Sequence, residues 1–215
     1  MSDGRGEPTL GLRERKKLRT RATLINAALE LCERQGFDNT TVDQIAAIAD
    51  VSPRTFSRYF ATKDAIALAL VDEVLDRTAV ELARQPADLN HFEAILRAYL
   101  AMAEASKRAS AGELTAERVM CIVRIVLSSP ALRQSSLEYR ANAIERAIAE
   151  RMGVSVHDRG PRLVSAVWGS VLMTALTDVA ADMDGSAPTI DDVIARLQRT
   201  YNQFTGLTAG LPQPV

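Results

Sequence analysis

DVSPRTFSRYFATKDA, residues 50–65, sets a proline inside a region whose apolar residues otherwise recur at helical spacing. A proline has no main-chain N–H to donate and steers the residue before it away from the helical conformation. Ser52 can cap a new helix with its side-chain oxygen, and Pro53 suits the first helical position. One helix therefore ends before this point and another begins here, at a large angle to the last. Arg54, Thr55, Ser57, Arg58 and Tyr59 then fill the next turn and a half with hydrogen-bond donors, and Thr62 caps a further helix, KDAIALALVDEVLDRTAVELARQ, running to about Gln85.

Upstream, from Lys16 to Gln35, apolar positions Leu18, Ala22, Ile25, Leu29 and Cys32 share one helical face, and Gly36 supplies the stop. Thr41 with Gln44 three residues on forms a capping box for a helix of barely two turns that ends near Asp50. A long helix, a short one, a tight turn and a second short helix over 53–59 make a helix-turn-helix. Ala46 and Ala49 let the short helices cross closely, while Val51 and Phe56 fix their angle. The N-terminus of the second presents polar side chains to base edges in a DNA major groove.

The charge agrees with that reading. Residues 1–63 carry 11 Lys/Arg against 8 Asp/Glu, whereas residues 64–215 carry 15 against 19, so the formal net charge of −1 conceals a basic N-terminal third. The run LRERKKLRTR at 12–21 holds six basic side chains and one acid, a local field suited to a polyanion. Lys16, Lys17 and Arg19 would add salt-sensitive affinity.

Residues 40–70, TTVDQIAAIADVSPRTFSRYFATKDAIALAL, resemble the DNA-binding signature of the TetR family of tetracycline-repressor-like regulators: Thr-Val, Ile-Ala, a turn, Val-Ser, then a Thr and a Tyr-Phe pair followed by Lys. The resemblance covers about residues 13–75. Where the family usually has a glycine in the turn this chain has Asp50, one of the few other residues that tolerate a left-handed backbone. Where the family usually has a tyrosine in the recognition helix it has Ser57, which reaches less far. By position, the resemblance implies base-edge contacts from Arg54 and Thr55, phosphate contacts from Thr41, Ser57, Tyr59 and Lys63, and either role for Arg58, with Ser52 and Pro53 starting the helix that carries them.

Beyond Pro86 five more helical segments follow, at about 88–108, 114–127, 130–151, 161–183 and 189–205, with Pro130 and Pro161 at first helical positions. The fold class is all-α, an N-terminal three-helix helix-turn-helix domain joined by a linking helix to a larger helical domain. Residues 1–11 read as a disordered tail, 12–62 as the DNA-binding domain, 63–206 as an effector-binding and dimerisation domain, and 207–215 as a loose tail. One helix-turn-helix contacts too few base pairs for tight specific binding, so the resemblance implies a homodimer on a near-palindromic operator. Its surface is expected on segments 161–183 and 189–205, at Ala166, Ser170, Thr174, Ile194, Leu197 and Tyr201. Phe92, Tyr99, Met102, Met120, Cys121 and Trp168 could line a pocket for a hydrophobic small molecule, with Arg118 or Arg124 facing an anionic head group. Residues 128–163 also resemble the C-terminal region of an actinobacterial branch of the family that senses acyl-CoA-like ligands, which implies a fatty acyl or acyl-CoA effector.

Other classes fit less well. The two histidines, His91 and His157, belong to no HExxH, GxSxG or phosphate-loop motif, which speaks against an enzyme built on the C-terminal cavity, and no cofactor or metal is expected. The acidic C-terminal part disfavours a nonspecific architectural DNA binder. Cys32 and Cys121 lie apart in apolar segments and read as buried thiols of a cytoplasmic protein. MSDGRGEPTLG has no apolar core of a secretory signal. The longest uncharged run, Leu163–Thr177, is 15 residues, short of a bilayer span, so no membrane partner is expected.

Overall fold

The computed structural model describes residues 11–110, 112–128, 132–133, 143–181 and 187–209. Among these residues all regular structure is helical: α1 (Leu12–Gln35), α2 (Val42–Ile48), α3 (Pro53–Tyr59), α4 (Lys63–Ala83), α5 (His91–Ser106), α6 (Ala116–Ser128), α7 (Ala143–Met152), α8 (Arg159–Ala181) and α9 (Ile190–Thr208). The chain divides into two compact units, residues 1–66 and 67–215.

In the first unit each helix boundary has a local cause. Thr41 Oγ1 accepts from Gln44 N–H at 3.2 Å while Gln44 Oε1 accepts from Thr41 N–H at 2.9 Å, completing the capping box. α2 ends in a Schellman motif, with Val51 N–H bonded to Ala46 C=O at 2.9 Å and Asp50 N–H to Ala47 C=O at 3.2 Å. That geometry requires a left-handed residue, and Asp50 takes it with φ of 53°. Ser52 Oγ then accepts from Thr55 N–H at 3.1 Å, with Pro53 at the head of α3. Leu24, Ala28, Ile45, Ala46, Phe56 and Phe60 form the core, the two phenylalanine rings 5.8 Å apart.

In the second unit α5, α6, α7, α8 and α9 pack with the remainder of α4. A row of aromatic rings runs through it: Phe92 meets Phe204 at 5.3 Å, Phe204 meets Tyr201, Tyr201 meets Trp168, and Trp168 meets Tyr99 at 5.6 Å. Asn90 caps α5 through Glu93 N–H, and Thr189 with Asp192 forms a second capping box for α9.

Several boundaries differ from the sequence expectation. α1 begins at Leu12 rather than Lys16, because nothing between them breaks a helix. α8 begins at Arg159, so Pro161 is its third residue, where the missing N–H costs no intrahelical bond. α9 continues to Thr208, past the expected start of the loose tail at 207. Half of the expected segment 130–151, Pro130 included, and the tails before 11 and after 209 lie outside the described residues.

Candidate nucleic-acid interface and effector cavity

α3 is seven residues long and buries a single side chain, Phe56, which is 1% exposed. Everything else on it is left to other partners. Arg54 is exposed and pairs with no described residue; Thr55 is half-buried, its hydroxyl 3.0 Å from that of Ser52. Arg58 lies over the Tyr59 ring at 5.4 Å, so the two move as a stacked pair. The Ser57 hydroxyl donates to Pro53 C=O at 3.1 Å, which spends its one proton inside the helix and leaves only its lone pairs outward.

Thr41 is exposed at the N-terminus of α2, where its oxygen already holds the capping bond. Lys63, expected from sequence to contact a phosphate, stands half-buried at the head of α4. Its ammonium donates to Phe37 C=O at 2.8 Å, reaches Asp38 C=O at 3.5 Å, and sits 4.3 Å above the Phe37 ring. On α1, Arg15, Lys16 and Arg19 line a concave surface with Thr20, Thr23, Ala49 and Val51, so the basic run of the sequence becomes one positive wall beside the helix turn. That wall was legible as charge, but its position next to Val51 needed the fold.

The second unit holds a cavity of about 130 Å³ that is partly open to the surface. Val71, Val74 and Leu75 of α4 form one wall; Val119, Ile122, Val123 and Val126 of α6 another; Ser165, Trp168, Gly169, Leu172, Met173 and Leu176 of α8 a third; Tyr99 and Ile144 close it. The three- and four-residue spacings show one face of each helix turned inward. No charged side chain is among these residues. Burial pushes the Tyr99 phenol well above its ordinary pKa, with the Trp168 indole N–H turned toward its oxygen pulling the other way, so Tyr99 keeps its proton.

Of the pocket residues expected from sequence, Tyr99 and Trp168 line this cavity. Phe92 packs on Phe204, Met120 and Cys121 are buried away from the lining, and Met102 borders a separate, polar depression with Arg77, Arg84 and Arg108. Arg124 is exposed, and Arg118 is paired with Glu73 at 2.8 Å, so neither charge reaches into the apolar space. The valines of α4 and α6 were missed because nothing in their order separates a cavity wall from ordinary core.

Of the residues expected at a dimer surface, Ala166, Ser170 and Thr174 form an exposed stripe on α8. The hydroxyls donate to their own helix, Ser170 to Ala166 C=O at 3.2 Å and Thr174 to Ser170 C=O at 2.9 Å, so the face can be covered without stranding a donor. Ile194 is half-buried. Leu197 and Tyr201, 3% and 8% exposed, point into the unit's own core, because the aromatic row claims that side of α9.

Among the described residues no helix is long and apolar enough to cross a membrane, and no group of three or more His, Cys, Asp or Glu could hold a metal ion.

Comparison with known proteins agrees with this anatomy. Residues 24–70 match the family model described as bacterial regulatory proteins, tetR family, and residues 89–202 match the MftR C-terminal domain. The chain is 36% identical over 165 residues to the HTH-type transcriptional regulator TcmR of Streptomyces glaucescens, covering 75% of this chain and 73% of that protein. It is 39% identical over 71 residues to the HTH-type transcriptional regulator HbdR of Aromatoleum sp. (strain CIB), 33% of this chain and 31% of that one. In fold it resembles Thermus thermophilus FadR, a TetR-family repressor solved with lauroyl-CoA, with a TM-score of 0.57 and 22% identity, covering 91% of this chain and 97% of that one. It likewise resembles the TetR-family repressor AlkX of Dietzia sp. strain DQ12-45-1b, with a TM-score of 0.51 and 16% identity over 91% and 99% of the two chains. The chain thus belongs to the TetR family of bacterial regulatory proteins, and is a DNA-binding helix-turn-helix transcriptional regulator rather than an enzyme.

Proposed function

We propose that two copies of the chain bind a near-palindromic operator in the cytoplasm as a repressor, and that an apolar small molecule held in the second unit's cavity releases them. The observation that carries the DNA reading is the N-terminal end of α3, where Arg54 stands exposed, paired with no described residue, beside Thr55 while Phe56 anchors the helix from behind. An exposed guanidinium at that end can meet guanine O6 and N7 with two parallel hydrogen bonds. Thr41, Arg58, Tyr59 and the basic wall of α1 serve the phosphates, each contact adding affinity without sequence preference.

The exposed stripe Ala166, Ser170 and Thr174 is the isologous surface in this reading, with Leu163 beside it 65% exposed. Effector control follows from α4. That helix begins at Lys63, with three residues between it and the end of α3, and further along supplies Val71, Val74 and Leu75 to the cavity wall. A molecule that fills the cavity spreads α4 from α6 against the Glu73–Arg118 ion pair, and the shift biases the equilibrium between bound and released states. Of an acyl compound, only the chain has a counterpart in this lining, because the carboxylate or CoA end would meet no cation there.

The test is binding to operator sequences selected from random oligonucleotides. Arg54→Ala costs about 1–3 kcal/mol and relaxes preference at one position of each half-site. Unchanged affinity and preference would remove α3 from the interface.

A further inference from the structure

Trp168 is 2% exposed and lines the cavity, and its indole N–H, turned toward the Tyr99 phenol oxygen, makes no hydrogen bond of full geometry with it. A buried donor without a well-aligned acceptor is costly, so such groups are normally satisfied by protein, water or a ligand. The phenol of Tyr99, whose ring lies 5.6 Å from that of Trp168, adds an O–H donor to the same cavity. Among the lining residues Ser165 is the only other one with a polar N or O in its side chain, and none is charged. The space is therefore apolar, uncharged and supplied with donors.

We propose that the effector is an uncharged, largely apolar molecule carrying a carbonyl oxygen, and that this oxygen accepts from the Trp168 N–H. A carboxylate would be excluded, since burying its charge here would find no cation to offset the loss of water. A cavity of this size is of the order that takes a benzene-sized body without rearrangement, and larger ligands of the class would widen it between α4 and α6. The inference rests on the cavity being the effector site, as proposed above.

Three probes of nearly one shape separate these ideas: acetophenone, isopropylbenzene and benzoate. Trp168 is the chain's single tryptophan, so the full-length protein labelled with nitrogen-15 gives one indole N–H resonance. Acetophenone should move that proton downfield in a saturable manner, isopropylbenzene should bind without the downfield shift, and benzoate should not bind. In Trp168→Phe, which keeps an aromatic ring, ligand-observed NMR should show acetophenone affinity falling about 3- to 10-fold, the effect of one net hydrogen bond, with isopropylbenzene changed less than 2-fold. Equal losses for both neutral probes, no indole shift with acetophenone, or benzoate binding as well as acetophenone would each overturn the carbonyl acceptor while leaving the cavity as an effector site. Failure of both neutral probes to bind the unaltered protein would overturn the cavity reading itself, and this inference with it.

Discussion

The Lys63 ammonium is held by the main-chain carbonyl of Phe37 at 2.8 Å and by the face of the Phe37 ring at 4.3 Å. It clips the first residue of α4 to the loop that follows α1. A cation shared between a carbonyl and an aromatic face is fixed twice over, which leaves fewer of its three N–H donors for a phosphate. Lys63→Met, which keeps most of the stem, should lower stability by about 1–2 kcal/mol in urea denaturation. The dependence of log affinity on log salt should keep its slope; a fall of about one unit would return Lys63 to the phosphate contacts.

Asp50 occupies the left-handed position of the turn between α2 and α3 with its side chain exposed, so a substitution there tests the backbone and little else. A β-branched residue pays the full steric cost of that conformation, and Asp50→Val should destabilise the protein by about 1–2 kcal/mol. Asp50→Gly should stay within about 0.5 kcal/mol of the parent, since relief of the left-handed strain offsets the greater freedom of the unfolded chain. Thermal unfolding of the two variants side by side checks both values.

Arg151, near the end of α7, donates to the carbonyls of Gln85 at 3.1 Å, Leu89 at 2.9 Å and Pro86, and so holds the whole connection between α4 and α5. A planar guanidinium spreads its donors over three nitrogens in a fixed fork, whereas an ammonium gathers its three on one nitrogen at the end of a flexible stem and cannot span the same carbonyls without distortion. Arg151→Met should cost about 2–3 kcal/mol by urea denaturation, and Arg151→Lys should recover less than half of it. Faster hydrogen exchange of amides 85–90 in Arg151→Met would show the loss arising at that connection.

Tyr99 links stability to alkaline pH. Burial raises its folded pKa, so above about pH 10 the unfolded chain gives up a proton that the folded chain retains. The contribution is therefore complete below pH 10 and declines as pH rises toward the folded value, at a limiting slope of about 1.4 kcal/mol per pH unit. Tyr201 is shifted the same way by its own burial and by Glu93, so part of the alkaline loss survives without Tyr99. The difference in urea stability between the parent and Tyr99→Phe should fall as pH goes from 9 to 11; a constant difference would show that the phenol ionises in the folded protein as readily as in water.

Local chemistry made the DNA-binding unit legible before any coordinates. The capping box of Thr41 and Gln44, the left-handed tolerance of Asp50 and the Ser52–Pro53 start of α3 each act within a few residues of chain, so sequence alone determined where α2 stops and α3 begins, and hence that Arg54 and Thr55 stand at a helix N-terminus. Which side chains are spent on the protein's own fold was decided only by tertiary structure. Lys63 turns to a carbonyl 26 residues away, Leu197 and Tyr201 face an aromatic row gathered from three helices, and the cavity walls come from valines that in sequence look like any core. Helical periodicity tells which residues share a face; what that face meets depends on elements far along the chain, whose approach follows from packing the whole unit.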